Sequence, residues 1–264
     1  MKKYAVCFNQ NISNSINVKN SLVEILNNNN VDVSSIDIDN LKRGFDFVFV
    51  IGGDGTILKA GRFYALSETP VFGINLGRLG FLSQSSDNNL EQVVYKILNK
   101  EYEIQKRTML CCGEFTALND FVVKSCDSGR TSRFSLFIND KFVCDYLADG
   151  IIVSTPTGST AYGLSAGGPV IAPSLDVLEI VPICPHTLTA RPIIIPTNEK
   201  ITISGENKNK YFISADGQEF YEFNSEVTIK KAQYFAKLAL LKDSEFYSVL
   251  KNKLHWATHP EYEG

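Results

Sequence analysis

Several features are missing from this sequence, and each absence narrows the reading. No apolar run approaches the roughly 18 residues that a membrane-spanning helix needs. The opening Met1-Lys2-Lys3-Tyr4-Ala5-Val6-Cys7-Phe8-Asn9 turns polar too early for a signal peptide. The expectation is a cytoplasmic protein with no membrane partner. A large excess of one charge is also missing: a net charge of -3 gives no electrostatic reason to bind nucleic acid or an anionic surface. The six cysteines show no C-x-x-C spacing and several sit in apolar runs, so they read as reduced structural thiols. His255 and His259 lie four apart without a Glu-x-x-His pattern or a nameable third ligand, and no protein metal site is assigned. There is no internal repeat. Two familiar phosphate-binding signatures are lacking as well, the Gly-x-x-x-x-Gly-Lys-Ser/Thr loop and the Gly-x-Gly-x-x-Gly fingerprint.

What is present is an ordinary globular composition, 44% hydrophobic and 21% charged, in a chain of 264 residues, long enough for two modest domains. Up to about Tyr102, strands and helices alternate. Tyr4–Phe8, Val31–Ile38, Phe47–Ile51 and Pro70–Asn75 read as strands, and Val18–Leu26 and Leu90–Leu98 carry one apolar helical face each. This predicts an open, Rossmann-like α/β domain with parallel strands over residues 1–104. From 105 to 242 the pattern changes to short strands and turns, predicting an antiparallel β-rich domain, with Asn139-Asp140 as a hairpin turn. Asp243 is placed as the cap of a last helix, Ser244–Leu254, and residues 243–264 are expected to return to the first domain.

The chain is organised around Phe47–Ile51, Gly52-Gly53-Asp54-Gly55-Thr56 and the helical run from Ile57. Buried strand, glycine turn and helix make a phosphate-binding layout, because glycines let backbone N–H groups approach a ligand at a helix N-terminus. Gly52, Gly53, Gly55 and Thr56 are the candidate phosphate contacts. Asp54 is the oddity, since a carboxylate repels phosphates. It has a use if it accepts a hydroxyl proton or helps to hold Mg²⁺, and the alternative is a plain helix cap. A second rich stretch runs from Asp149 to Pro169. Its hydroxyls, glycines and small residues leave backbone open to a flat ligand, and Tyr162 offers an apolar face with a polar tip. Runs of this composition also serve as plain loops.

The Gly52–Thr56 pentapeptide resembles the signature shared by NAD kinases, diacylglycerol-type lipid kinases and phosphofructokinases. Asn75–Leu82, Leu118-Asn119-Asp120, Asp149–Pro169, Pro185–Pro192 and Asp216-Gly217-Gln218 add a resemblance to the blocks of NAD kinases, in order and over most of the chain. The resemblance implies transfer of a phosphoryl group from ATP or polyphosphate to the 2′-hydroxyl of the adenosine ribose of NAD, giving NADP. It implies Asp54 as the acid–base residue, with Gly55 and Lys59 beside the phosphates and Phe81 on adenine. Lys59 also reads as a solvated helix residue, and Phe81 also reads as core. Asn119 and Asp120 would bond base and ribose groups, although the family often has Glu at the second position. Arg130, Asp149, Gln218 and the run Thr160, Ala161, Tyr162, Gly163, Leu164, Ser165 would be further dinucleotide contacts. Mg²⁺ would be held mainly by the nucleotide phosphates, and a homodimer or homotetramer is expected. A lipid kinase or a non-catalytic NAD(P) sensor on the same scaffold are the alternatives.

Overall fold

The computed structural model describes residues 2–77, 80–86, 89–126, 131–206, 210–242 and 246–254. Two compact units form: the described residues up to Lys106 together with those from Ala236 onward, and Arg107–Phe235.

The first unit begins with β1 (Lys3–Phe8), α1 (Ser15–Asn28), β2 (Asp32–Asp37), β3 (Phe47–Ile51), α2 (Asp54–Ala65), β4 (Val71–Asn75), β5 (Ser83–Ser86), α3 (Leu90–Leu98) and β6 (Tyr102–Arg107). All five residues of β3 and all five of β4 are buried, as unbroken apolar runs in a parallel sheet covered on both faces should be. The helices turn one stripe inward: Val18, Leu22 and Leu26 from α1, and Leu90, Val93, Val94 and Ile97 from α3. Strands β2, β1, β3 and β4 lie in that order and are parallel. The chain leaves β1 outward to β2 and then returns to place β3 on the other side of β1. That reversal is where open α/β sheets bind ligands, outside the carboxyl ends of the strands. The Gly52 turn leaves the carboxyl end of β3 there.

The second unit runs through β7 (Leu110–Cys112), β8 (Phe115–Ala117), β9 (Asp120–Ser125), β10 (Ser132–Ile138), β11 (Lys141–Ala148), β12 (Gly150–Ser154), the short helix α4 (Tyr162–Ser165), β13 (Val177–Ile183), β14 (Ile193–Pro196), β15 (Ile201–Gly205), β16 (Tyr211–Ala215), β17 (Glu219–Phe223) and β18 (Glu226–Lys231). They make two six-stranded sheets, β11-β10-β15-β18-β7-β8 and β14-β13-β12-β9-β16-β17. Alternate residues such as Phe121, Val123, Ile151, Val153, Ile180 and Ile213 of the second sheet join Phe134, Leu136, Ile201 and Ile203 of the first in one buried core. Asn139 and Asp140 both have positive φ (50° and 64°), the type I′ geometry that matches the twist of the β10–β11 hairpin.

After the second unit the chain closes with β19 (Ala236–Leu241) and α5 (Phe246–Leu254). Strand β19 joins the first unit's sheet, pairing Leu238 with Val71 in parallel. The first unit's sheet therefore claims residues that the sequence reading assigns to the β domain, whose end it sets at 242. The helix begins, among described residues, at Phe246; Asp243, expected as its cap, lies outside them.

Candidate active site

In the first unit the turn after β3 is built by packing as much as by conformation. Gly52 has φ +153°, and a Cβ there would lie 2.7 Å from Thr56 Oγ1. Gly53 and Gly55 are exposed and border open space. Helix α2 starts on Asp54, with Gly53 as its extended N-cap residue, and the Gly53 carbonyl accepts the N–H groups of Thr56 and Ile57 at 3.0 and 3.2 Å. A capping aspartate would sit one place earlier and turn its oxygens back on its own helix. The Asp54 carboxylate instead faces the loop after β4: Oδ2 accepts from Phe81 N at 2.9 Å and Oδ1 accepts from Leu82 N at 3.1 Å. That loop is itself fixed by Asn75, which accepts from Gly77 N at 3.0 Å, and by Ser83, whose Oγ accepts from Gly80 N at 2.6 Å. Gly80 is pressed so closely against Asp54 that an added Cβ would lie 1.8 Å from Oδ1. Lys253 Nζ completes the group, 3.1 Å from Asp54 Oδ2 and 4.8 Å from the Phe81 ring centre. Lys59 is ion-paired with Asp39 at 2.6 Å, both side chains largely exposed.

A carboxylate has about four acceptor positions. Among the described residues, Phe81 and Lys253 fill those of Oδ2 and Leu82 fills one of Oδ1, which leaves one on Oδ1. This is a carboxylate held in place beside a helix N-terminus.

The second unit contains a cavity of about 410 Å³, within the range of small-molecule sites. Its floor is one face of three neighbouring strands, taken at every second residue: Asp120, Val122 and Lys124 of β9, Phe212 and Ser214 of β16, and Phe220 of β17. Ala161 and Tyr162 stand over it, and Lys124 Nζ donates to Tyr162 Oη at 3.1 Å. Asn119, Asp216 and Gly217 close one end. Asp216, at φ 54° in the β16–β17 turn, accepts the backbone N–H groups of Leu118, Asn119 and Asp120 at 2.8–3.1 Å. It thereby fixes the backbone from which Asn119 and Asp120 project. Asp120 is buried, and desolvation, helped by the neighbouring Asp216 carboxylate, pushes its carboxyl up to about 7. Near neutrality it can therefore both donate and accept.

The Gly-rich stretch is packed against this sheet rather than left as a solvent loop. Thr155 N and Oγ1 bond the backbone carbonyls of Asn119 and Leu118 at 2.8 and 2.6 Å. Gly158 passes so close to Asn119 that a Cβ would meet its carbonyl oxygen at 2.2 Å. Ser154 pairs across the sheet with Asp120 on one side and Glu179 on the other. Glu179 is fully buried, neither oxygen has a hydrogen-bond partner, and burial pushes its carboxyl up to about 7.

The sequence-predicted residues thus divide. Asp54 and Phe81 meet directly in the first unit, with Gly55 and Thr56 on the same turn. Asn119, Asp120, Ala161 and Tyr162 line the second unit's cavity. Thr160, Gly163, Leu164 and Ser165 flank that wall without lining it, Gly163 being buried. Gln218 is exposed in the β16–β17 turn, and Asp149 is exposed just before β12, where its N–H donates to Ile183 O at 3.0 Å. Arg130 lies outside the described residues. Sequence reasoning missed Lys253, Lys124, Phe212 and Phe220. Lys124 was findable, since it shares a strand face with Asp120, but nothing local marks Lys253.

Comparison with known proteins agrees with both halves of this description. Residues 4–102 match the family model described as the ATP-NAD kinase N-terminal domain, and residues 118–241 match that of the ATP-NAD kinase C-terminal domain. An NAD kinase of Clostridium botulinum (strain Loch Maree / Type A3) is 41% identical over 232 residues, covering 84% of this chain and 82% of the relative. One from Thermoanaerobacter sp. (strain X514) is 37% identical over 281 residues, covering 96% of this chain and 99% of its own. Among solved structures, an NAD kinase from Archaeoglobus fulgidus in complex with ATP superposes with a TM-score of 0.81 at 29% identity, over 96% of this chain and 98% of that one. Yeast NADH kinase complexed with NADH shares the fold, with a TM-score of 0.86 at 22% identity over 98% and 89% of the two chains. A glycine turn that presents a carboxylate, a β-rich unit with a small-molecule cavity, and matches along nearly the whole length converge: this chain is a phosphotransferase and belongs to the NAD kinase family.

Proposed function

We propose that the protein transfers the terminal phosphoryl group of ATP to the 2′-hydroxyl of the adenosine ribose of NAD, producing NADP. The observation that carries this is the Asp54 carboxylate, turned away from its own helix and left with one acceptor position. The hydroxyl oxygen attacks the terminal phosphorus, the bond to the leaving diphosphate breaks, and the hydroxyl proton passes to Asp54. Because the transition state is loose, Asp54 serves first to orient the hydroxyl and takes the proton late. Gly52, Gly53, Gly55 and Thr56 are the proposed phosphate-binding turn, at the start of α2; within it the N–H groups of Gly52 and Thr56 already donate to Ile74 O and Gly53 O at 2.9 and 3.0 Å. Asn119, Asp120 and Tyr162 are the proposed dinucleotide contacts of the second unit.

Among the described residues no group of three or more His, Cys, Asp or Glu side chains gathers as a metal cage. The one carboxylate at the turn, Asp54, has its remaining acceptor position facing the hydroxyl, which suits a Mg²⁺ ion that would be held by nucleotide phosphates and water. Such an ion would neutralise charge on the phosphates. ATP is the proposed donor, supported by the archaeal neighbour's complex; inorganic polyphosphate is the competing one. Exposed Phe142, Val143 and Leu147 on the edge strand β11 support a homodimer or homotetramer, and six unpaired cysteines support a reducing, cytoplasmic setting.

The test is a coupled assay for NADP formation from NAD with Mg²⁺ and either ATP or polyphosphate. NADP formation with ATP supports the reading in full. Formation with polyphosphate alone replaces the donor, and formation with neither overturns the proposal in favour of a nucleotide sensor.

A further inference from the structure

We propose that Lys253, on the C-terminal helix, is a catalytic residue that meets the oxygens of the phosphoryl group as it passes to the hydroxyl at Asp54. This rests on the reading of Asp54 given above. Helix α5 buries Leu250, and Lys253 follows three residues later on the same face, so the helix that docks through Leu250 also delivers the lysine. Its ammonium lies 3.1 Å from Asp54 Oδ2 and 4.8 Å from the Phe81 ring centre. An ammonium has three protons. The carboxylate engages one at 3.1 Å, which leaves donor capacity for an acceptor that approaches Asp54.

The chemistry needs a cation at this place. Charge spreads over the three equatorial phosphoryl oxygens in the transition state, and a carboxylate alongside makes that charge harder to bear. Lys59, the cation that the family resemblance puts beside the phosphates, is ion-paired with Asp39 at 2.6 Å. Lys253 is the cation that contacts Asp54 among the described residues, and its side chain is 35% exposed, so a ligand can reach it. It neither gains nor loses a proton in the step. Its role is to offset charge, and in the resting protein to keep Asp54 company.

The experiment compares Lys253→Met, Lys253→Arg, Lys253→Ala and Asp54→Asn with the wild type, in the full chain, by saturation kinetics with NAD and Mg-ATP. A partly exposed ion pair contributes little to stability, so Lys253→Met should melt within a few degrees of wild type. Its kcat should fall about 10²-fold, the range for losing one transition-state donor, with the KM for NAD changed by less than about threefold. Lys253→Arg should retain most of the rate, and Lys253→Ala should regain part of its loss in millimolar ethylammonium. A purely structural lysine would move the melting temperature and show neither the kcat-only effect nor rescue. If Asp54→Asn is inactive while Lys253→Met turns over within about threefold of wild type, or faster, the proposal for Lys253 falls and the Asp54 reading stands. If Asp54→Asn is itself near normal, both fall. Should Lys253→Met not fold, Lys253→Gln carries the same criteria.

Discussion

Replacing Asp54 with Asn is the most informative perturbation, and the geometry around it sets what to expect. The carboxylate accepts Phe81 N–H and Lys253 on Oδ2 and Leu82 N–H on Oδ1. An amide has one oxygen, so its NH₂ must face either Phe81 or Leu82, two donors meeting. One backbone hydrogen bond is lost, at a cost near the low end of the 1–3 kcal/mol range because the side chain is about one-third exposed. At about 2–4 °C per kcal/mol, the variant should melt only a few degrees lower and stay folded. Catalysis is hit harder. General-base assistance is worth about 10²–10⁴-fold, and a loose transition state puts this case near the lower end, so kcat should fall at least about 10²-fold. That is about 2.7 kcal/mol in the transition state, well beyond the ground-state loss. Calorimetric NAD affinity should hold or improve, because a negative charge beside the dinucleotide phosphates is gone. Measured kcat within about threefold of wild type on folded protein would refute the assignment of Asp54.

Three further predictions follow from the same contacts. Tyr162→Ala removes the ring over the second unit's cavity and the acceptor of Lys124; the NAD dissociation constant should rise at least about tenfold by calorimetry, the scale of one aromatic contact, and unchanged binding would move the dinucleotide elsewhere. Asp120 binds its proton more tightly folded (about 7) than unfolded (3.8), so the native state holds the extra proton between those values and stability falls as pH rises through the window. Urea unfolding should show Asp120→Asn losing less stability than wild type from pH 5 to 7, by up to about 1.4 kcal/mol per pH unit; parallel curves would show that Asp120 is not held protonated. Gly80→Ala puts a Cβ 1.8 Å from Asp54 Oδ1 and must push the carboxylate aside; kcat should drop about 10²-fold, as it does for small misplacements of a reacting group, and wild-type turnover would mean that the position of Asp54 is not critical.

The first unit was largely legible because its signals are local. Phe47–Ile51 is an unbroken buried run, and the stripes of α1 and α3 repeat at helical spacing. The second unit was legible as a class and less so strand by strand. Val177–Ile183 is a central strand of its sheet, yet Glu179 and Pro182 within it disguise a run whose last six residues are all buried. Pro182 is tolerated at a sheet position that propensity disfavours, and Glu179 is buried without a partner. Strand β19 was missed because its claim on the first unit's sheet is a pairing 167 residues away in the chain, Leu238 with Val71, which no window of sequence contains. Lys253 was missed for the same reason: its meaning lies wholly in what α5 is docked against.

The glycines of the matched blocks show how a motif can be recognised for one reason and used for another. Read in sequence, they are turn formers, and Gly52 at φ +153° is partly that. Gly80 and Gly168 are not: neither has a positive φ, and each is distinguished by what its absent side chain leaves room for. At Gly80 the space holds the Asp54 carboxylate, and at Gly168 a Cβ would lie 2.1 Å from Glu179 Oε1. Two acidic side chains therefore rest against bare backbone, one facing outward with an acceptor position open, the other sealed in. The difference between them is the donors: two N–H groups and an ammonium hold Asp54, whereas neither oxygen of Glu179 has a partner. The donors around Asp54 fix its aim, whereas burial pushes Glu179 toward its neutral form. Of the two, Asp54 is the carboxylate that a ligand can reach: its side chain is 32% exposed, whereas Glu179 is fully buried.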